Sequence, residues 1–118
     1  MAVEDLREWI NLLAEKAELK KIQAEVDWNE EIGAITREVS SQNGPALLFE
    51  KIKDHQQTLC RRLFTNGTGS LAKVCRLVGL PEATCSRDLV SNFKELLRRQ
   101  VEPRRVDRGR VKDNIVTG

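Results

Sequence analysis

The stretch EVDWNEEIGAITREV, from Glu25 to Val39, contains the change of hydrophobic period that decides the fold. From Lys21 to Val26 apolar and polar residues alternate, which is typical of a half-buried β-strand. Beyond Asp27 the apolar residues recur at helical spacing instead. On the inner face of this predicted helix lie Ile32, Ile35 and Val39. The sequence therefore predicts a strand that turns directly into an amphipathic helix.

The corner between this strand and this helix carries local signals of its own. Asp27 can end the strand and cap the helix, and Glu30 follows three residues later as in a capping box. Trp28 falls in the first turn, where we expect it to pack into the gap between strand and helix. Gly33 lies inside the helix and costs about 1 kcal/mol relative to alanine. It indicates either close approach to another backbone or simple tolerance.

Further predicted elements flank this corner on both sides. Asp5 to Leu19 reads as an amphipathic helix with Trp9 on its packing face, and Asp5 with Glu8 fits a capping box. Asn43-Gly44-Pro45 ends the second helix. The predicted later elements are a strand at Ala46–Glu50, a strand at Thr58–Phe64, a helix capped by Ser70 and ended by Gly79 and Pro81, and a helix at Ser86–Gln100.

The predicted order is helix, strand, helix, strand, strand, helix, helix. This order indicates an α/β (α+β) fold, in which helices pack against a small mixed sheet. With 118 residues the chain holds one domain at most. We expect that domain to occupy residues 1–100. Residues 101–118 lack a helical stripe and read as an extended connector.

The charge distribution and the hydropathy of the chain argue against nucleic-acid and membrane partners. The net charge of +2 is too small to imply a polyanionic partner. Seven basic residues between Arg98 and Lys112 could contact phosphates, although a solvated helix end and tail is the commoner explanation. That stretch lacks aromatic residues, which argues against single-strand nucleic-acid recognition. No apolar run is long enough for a membrane span, so we expect neither nucleic acid nor membrane as a partner.

The metal-ligating residue types are too few for a recognisable site. The three cysteines, Cys60, Cys75 and Cys85, form no CxxC pair, and His55 is the single histidine. This excludes a recognisable zinc site and argues against a disulfide framework. Unpaired thiols fit a reducing cytoplasm, where we expect the protein to work.

Three other features could carry chemistry. The loop TNGTGS, residues 65–70, could place backbone N–H groups on a phosphate, but a flexible loop capped by Ser70 is the simpler interpretation. His55 lies in a polar turn with nothing to orient it as a base. Arg61 and Arg62 occupy a predicted strand and so point to opposite faces. One of them is expected to be buried in a structural ion pair, for which the candidate partners are Glu50 and Glu38, or else to contact an anion.

Three segments in order, DLREWINLLAEKAELKKIQAEVDWNEEIGAITREV, GPALLFEKIKDHQ and LFTNGTGSLAKVCRLVGLP, resemble the N-terminal region of the UbiD-like decarboxylases. The similarity extends over essentially the whole chain, including VKDNIVTG. The resemblance implies a reversible, non-oxidative carboxy-lyase acting on aromatic or α,β-unsaturated acids. It implies prenylated FMN as cofactor, with a divalent metal (Mn) and K at its phosphate.

Further expectations follow from the resemblance. They are a split-barrel domain beyond the connector, carbon dioxide as product, a prenyl-flavin synthase as cofactor supplier and a homo-oligomer at full length. The family's Glu-Arg-Glu catalytic set has no counterpart in this sequence. We therefore assign no catalytic, cofactor-binding or metal-binding residue, and we expect the isolated chain to be inactive.

The sequence also departs from the family pattern at two places. Lys53-Asp54-His55 stands where the family usually turns with a glycine, and Arg62 precedes Leu63-Phe64 where many members have asparagine. The wording CRRLFTNG is most similar to members that act on hydroxylated benzoates. Two alternatives stay open: a non-catalytic binding module, and an assembly or regulatory subunit that binds a separate decarboxylase chain. The connector favours a fragment of a longer protein over a natural short subunit.

Overall fold

The computed structural model describes residues 3–117. Within that range the chain forms four α-helices, three strands and a short 3-10 turn, in the predicted order. The elements are α1 (Leu6–Glu15), β1 (Leu19–Ile22), α2 (Glu31–Ser41), β2 (Ala46–Phe49), β3 (Leu63–Thr65), α3 (Leu71–Leu77), α4 (Ser86–Arg98) and the 3-10 turn (Arg110–Lys112).

The three strands form one mixed sheet with β2 in the centre. β1 runs parallel to β2, with Leu19 opposite Ala46, and β3 runs antiparallel to β2, with Thr65 opposite Leu47. Parallel strands need a long connection, and α2 lies within that connection. The predicted α/β (α+β) class with a small mixed sheet is confirmed.

Helices cover both faces of the sheet, because successive side chains of β2 point to opposite sides. On one face α1 packs Trp9 and Leu13 against Ala46. On the other face α2 packs Ile32 against Leu47 and Phe49. Trp9 is therefore a packing residue, as predicted. We call residues 3–80, which contain the sheet and α1–α3, the layered body.

Three helices of the layered body end in the same way, although their sequences differ. The residue after the C-cap has a positive φ in each: Ala17 (56°), Asn43 (52°) and Gly79 (76°). At α1, the N–H groups of Ala17 and Glu18 donate to the carbonyls of Ala14 and Leu13. The pattern is the Schellman motif, which normally places glycine at this position.

The predicted end of the first helix and the predicted start of the first strand are wrong for this reason. Sequence reasoning extended the helix to Leu19 and began the strand at Lys21. Because Ala17 takes a conformation that usually signals glycine, α1 ends at Glu15 and β1 begins at Leu19. Val26 forms only an isolated bridge with Ile52.

The corner at Asp27 also differs from the prediction. The helix begins at Glu31 rather than directly after Asp27, and Glu30 has a φ of 67° without a capping side chain. Glu31, not Glu30, accepts the N–H of Asp27, at 2.6 Å. Trp28 is 58% exposed, so the prediction that it packs between strand and helix is wrong. Gly33 has open space around it, which leaves tolerance as the explanation.

The third strand is shorter than predicted, since it begins at Leu63. Thr58 to Arg62 form a loop before β3 rather than a strand. Asp54 has a φ of 64°, which is the conformation that a glycine would adopt easily at the turn where the family usually has one. Residues 99–117 are exposed almost throughout and contain no regular element other than the 3-10 turn.

Candidate functional site

The glycine-rich loop at residues 65–70 is a packed structural element. The Nδ2 amide of Asn66 donates to the carbonyls of Gly44 and Pro45, at 3.2 and 2.9 Å. The indole N–H of Trp9 donates to the carbonyl of Gly67 at 3.2 Å. A Cβ atom on Gly67 would lie 2.5 Å from the Phe64 ring. The glycine therefore permits close packing, and Ser70 caps α3 as predicted by accepting the N–H of Lys73.

His55 lies in a corner held by polar contacts. Its ring meets Trp28 edge to face, with centroids 6.1 Å apart, and Thr58 Oγ1 lies 3.3 Å from Nδ1. Lys53 pairs with Asp27 at 3.1 Å. The backbone N–H of Asn29 and the ammonium of Lys53 lower the pKa of Asp27. The carboxylate of Asp27 in turn raises the pKa of Lys53. Both shifts come from a surface pair, and the contacts of His55 include no carboxylate that could orient it as a base.

Arg61 and Arg62 do not form the predicted buried ion pair. Both side chains are exposed in the loop before β3, and the ion pairs of residues 3–117 include neither arginine. Glu38 accepts instead from the Nε2 amide of Gln42, at 2.6 Å. The prediction failed because the strand begins at Leu63, so strand alternation does not apply to the two arginines.

The strongest polar cluster is centred on Arg76 of α3. Its guanidinium binds Glu18 through two hydrogen bonds of 2.6 and 3.1 Å, and it binds Glu82 at 2.6 and 3.0 Å. The hydrogen bonds from Arg76 lower the pKa of Glu18, and the pKa of Arg76 is raised in return. Arg76 thus fastens the start of β1 and the turn after α3 together.

Lys73, one turn before Arg76, is the buried charge of the layered body. It is only 4% exposed, and its Nζ donates to the carbonyl of Gly44 at 2.8 Å. Burial lowers its pKa, while the nearby Glu18 acts in the opposite direction. Sequence reasoning missed both basic residues of α3. The turn between Gly79 and Pro81 could have suggested the Arg76–Glu82 pair, but Glu18 is 58 positions from Arg76.

The hydrogen bonds of Arg76 and Lys73 hold neighbouring segments of the fold together, and the cleft beside Arg76 offers little for catalysis. A cleft of about 750 Å³ runs between α1 and the turn after α3, and Arg76 and Glu82 line it. Of the carboxylates that line it, Glu82 is paired with Arg76, whereas Glu8 and Glu15 belong to α1. Within residues 3–117, His, Cys, Asp and Glu side chains form no group of three that could hold a metal ion. Cys60, Cys75 and Cys85 are free thiols, and Cys75 is buried.

The apolar side of α4 is largely exposed in the described structure. Leu89 is buried, but the next apolar residues along the helix are exposed: Val90, Phe93, Leu96 and Leu97. Basic side chains follow this stripe through residues 98–112, and all of them are exposed. Among the described helices, none is both long and apolar enough to span a membrane. Within residues 3–117 the stripe of α4 is therefore the candidate interaction surface.

The chain is similar to proteins that are decarboxylases, but it spans only part of each. The chain is 34% identical to the pyrrole-2-carboxylic acid decarboxylase of Pseudomonas aeruginosa over 97% of its own length, but it spans only 24% of that protein. Open and closed structures of the vanillic acid decarboxylase of Sedimentibacter hydroxybenzoicus match with a TM-score of 0.65 and 32% identity, over 84% of this chain and 20% of theirs.

The family match covers most of the chain. Residues 10–93 match the 3-octaprenyl-4-hydroxybenzoate carboxy-lyase N-terminal domain, a segment that includes the sheet, α2, α3 and most of α4. The resemblance noted from the sequence is thereby confirmed. The chain belongs to the UbiD-like family, as its N-terminal domain.

Proposed function

We propose that this chain is the N-terminal, non-catalytic part of a UbiD-like carboxy-lyase. The proposed reaction is the reversible, non-oxidative decarboxylation of an aromatic or unsaturated acid, with a hydroxybenzoate-type substrate as the first candidate. The bond to the carboxylate carbon breaks, carbon dioxide leaves and a proton takes its place. The observation that carries the proposal is the family match over residues 10–93, and both named relatives are decarboxylases.

The proposed cofactor is prenylated FMN with Mn and K, supplied by a prenyl-flavin synthase in the cytoplasm. Prenylated FMN would serve as the electron sink of the decarboxylation. Residues 3–117 do not fit this group, because the glycine-rich loop at residues 65–70 is packed against Gly44, Pro45 and Phe64 and no group of three metal-ligating side chains is formed. We therefore assign the cofactor to the part of the enzyme that this chain does not span, and we assign this domain a scaffolding role.

One observation favours a second candidate, an assembly subunit that binds a separate decarboxylase chain. The solved neighbour is designated ShVdcCD, and one of its structures contains a truncated ShVdcD. A multi-chain arrangement therefore occurs in a relative. For this second candidate too the chain would be non-catalytic. The expected assembly would then be a hetero-oligomer with the decarboxylase chain instead of a homo-oligomer of the full-length protein.

The genomic reading frame that contains this chain tests both candidates. We expect the frame to continue beyond Gly118, and the purified product, loaded with prenylated FMN, to release carbon dioxide from hydroxybenzoates or pyrrole-2-carboxylate. A stop codon after Gly118 together with co-purification of a decarboxylase supports the assembly subunit. A full-length, cofactor-loaded product that decarboxylates none of a broad panel of aromatic and unsaturated acids contradicts the first candidate.

A further inference from the structure

The apolar stripe of α4 is exposed over about two successive helical turns. The exposed fractions are 54% for Val90, 39% for Phe93, 46% for Leu96 and 77% for Leu97. These residues follow helical spacing, so their side chains share one face of the helix. A contiguous apolar surface of this kind marks an interaction site more often than isolated exposed residues do.

The layered body does not supply a cover for this stripe. Its own apolar residues form two separate clusters on the two faces of the sheet, and α4 belongs to neither cluster. Leu89 is the buried residue of α4, so the helix is attached at its first turn and leaves the later turns exposed. Another surface must therefore receive Val90, Phe93, Leu96 and Leu97 if they are to leave water.

We propose that α4 and the connector form a docking arm, residues 86–117, for the catalytic remainder of a UbiD-like decarboxylase. The surface that receives it is an apolar groove with carboxylates along its rim, in the helix-in-groove mode of recognition. This inference rests on the proposed function, and it names the contact through which the scaffolding role is carried out.

Two observations select this occupant. The matched decarboxylase aligns with 97% of this chain, yet the chain spans only 24% of it, so about three quarters of that enzyme lies outside the aligned segment and is available as a partner. The arm is also basic beyond the stripe, with Arg98, Arg99, Arg104, Arg105, Arg108, Arg110 and Lys112 against Glu102, Asp107 and Asp113. An acidic rim complements this charge.

A second copy of the chain and a lipid surface fit the arm less well. A helix of 13 residues is about 20 Å long and about 10 Å wide, so one face of α4 offers about 200 Å². A stable protein dimer buries about 800 Å² on each partner. The polar face of α4 mixes Arg87, Lys94 and Arg98 with Asp88 and Glu95, whereas interfacial helices carry a predominantly basic polar face.

A chimeric enzyme tests the proposal. This chain replaces the matching segment of the P. aeruginosa pyrrole-2-carboxylic acid decarboxylase, and amide hydrogen exchange of α4 is compared between the chimera and the 118-residue chain alone. We expect exchange at the amides of residues 90–97 to slow at least about tenfold in the chimera. Equal exchange in the two proteins overturns the proposal.

Paired variants connect this protection to the stripe. In the chimera, Phe93→Ser with Leu97→Ser is expected to remove the protection, because both anchors leave the groove. Arg87→Ser with Glu95→Ser is the matched control, since it alters two long side chains of the polar face and leaves the net charge unchanged. Equal loss in the two pairs contradicts docking through the stripe.

The readouts separate failure of docking from failure of the proposed function. Protection of α4 in a chimera that does not decarboxylate supports docking and counts against the catalytic assignment. Decarboxylation by a chimera in which α4 is unprotected supports the catalytic assignment and counts against docking. If the chimera is insoluble, the 118-residue chain is titrated with the relative's remaining portion, and equal affinity of the wild type and the Phe93/Leu97 variant overturns the proposal. Binding only to a second copy, or only to anionic lipid vesicles, also overturns it.

Discussion

The layered body and the docking arm obey the same hydrophobic periodicity but differ in what covers their apolar residues. In the layered body, Leu13 and Phe49 lie on opposite faces of a sheet that has a helix on each side, and both are completely buried. In α4 the stripe is as regular, yet Leu97 remains in water. Periodicity thus determines the conformation of a segment, while tertiary context determines whether its apolar face becomes core or interface.

Replacement of Phe49 with alanine breaks the layered body at its centre and has the largest expected effect. Phe49 is fully buried on the central strand, and deletion of a buried aromatic ring leaves a cavity. We expect Phe49→Ala to lower the free energy of unfolding by about 3–5 kcal/mol, measured by urea denaturation. Leu63→Ala is the control, because Leu63 pairs with Phe49 across the sheet and is 43% exposed. Equal losses of unfolding free energy in Phe49→Ala and Leu63→Ala would contradict the argument that burial determines the cost.

Replacement of Arg76 with methionine tests the polar link between β1 and the turn that leads to α4. Methionine keeps much of the apolar stem, but Glu18 and Glu82 lose their partner. Because these carboxylates are partly exposed, we expect a loss of about 1–2 kcal/mol in the free energy of unfolding. The exposed Arg98–Glu95 pair is the comparison, and Arg98→Met should cost less than about 0.5 kcal/mol. Identical costs would contradict a special role for Arg76.

The Arg76 effect should depend on pH in a definite direction. The pKa of Glu18 in the folded chain lies below its ordinary value of 4.5. Its contribution is therefore complete above that value and is lost as the pH falls through the folded pKa. Denaturation curves of the wild type and Arg76→Met should converge below pH 4.5. A difference that grows on acidification would show that another group dominates.

A glycine at position 17 should strengthen the layered body. Ala17 adopts a φ of 56° at the end of α1, and an L-residue in that region is strained by about 1–2 kcal/mol. Glycine removes the strain but gains freedom in the unfolded chain, so we expect Ala17→Gly to raise the free energy of unfolding by about 0.5–1 kcal/mol. Ala34→Gly inside α2 should instead lower it by up to about 1 kcal/mol. A loss at both positions would refute the conformational argument.

A polar residue at position 97 has the smallest expected effect on the isolated chain, and it separates an exposed stripe position from a buried core position. Leu97 is 77% exposed, so Leu97→Ser should change the free energy of unfolding by no more than about 0.5 kcal/mol. Leu13→Ser, at a fully buried position of α1, should lower it by several kcal/mol. A loss above about 2 kcal/mol at position 97 would mean that the stripe packs within this chain.

The order and type of the elements could be predicted from the sequence, because hydrophobic period and turn residues signal them locally. Several boundaries could not. Ala17 takes a positive φ without being glycine, so the end of α1 had no compositional signal. Asp54 also has a positive φ, although its polar segment does indicate a turn. The two arginines before β3 looked like strand residues, although their segment is a loop.

The candidate site was less accessible from the sequence than the fold. Glu18, just before β1, and Arg76 of α3 come together only in the folded chain, and no local pattern connects two residues 58 positions apart. Trp28 was expected to pack between strand and helix because it directly follows Asp27, yet the late start of α2 leaves it at the surface. The helix α4 was predicted from the sequence, but the exposure of its apolar stripe depends on what the rest of the chain leaves uncovered.

The placement of the two tryptophans gives the protein a pair of built-in optical probes. Trp9 is enclosed in the core with its indole N–H bonded to Gly67, whereas Trp28 stands in water beside His55. A collisional quencher therefore reaches one fluorophore and not the other. Emission from Trp9 reports on loosening of the layered body, and emission from Trp28 reports on events at the corner, so the two can be followed in one unlabelled sample.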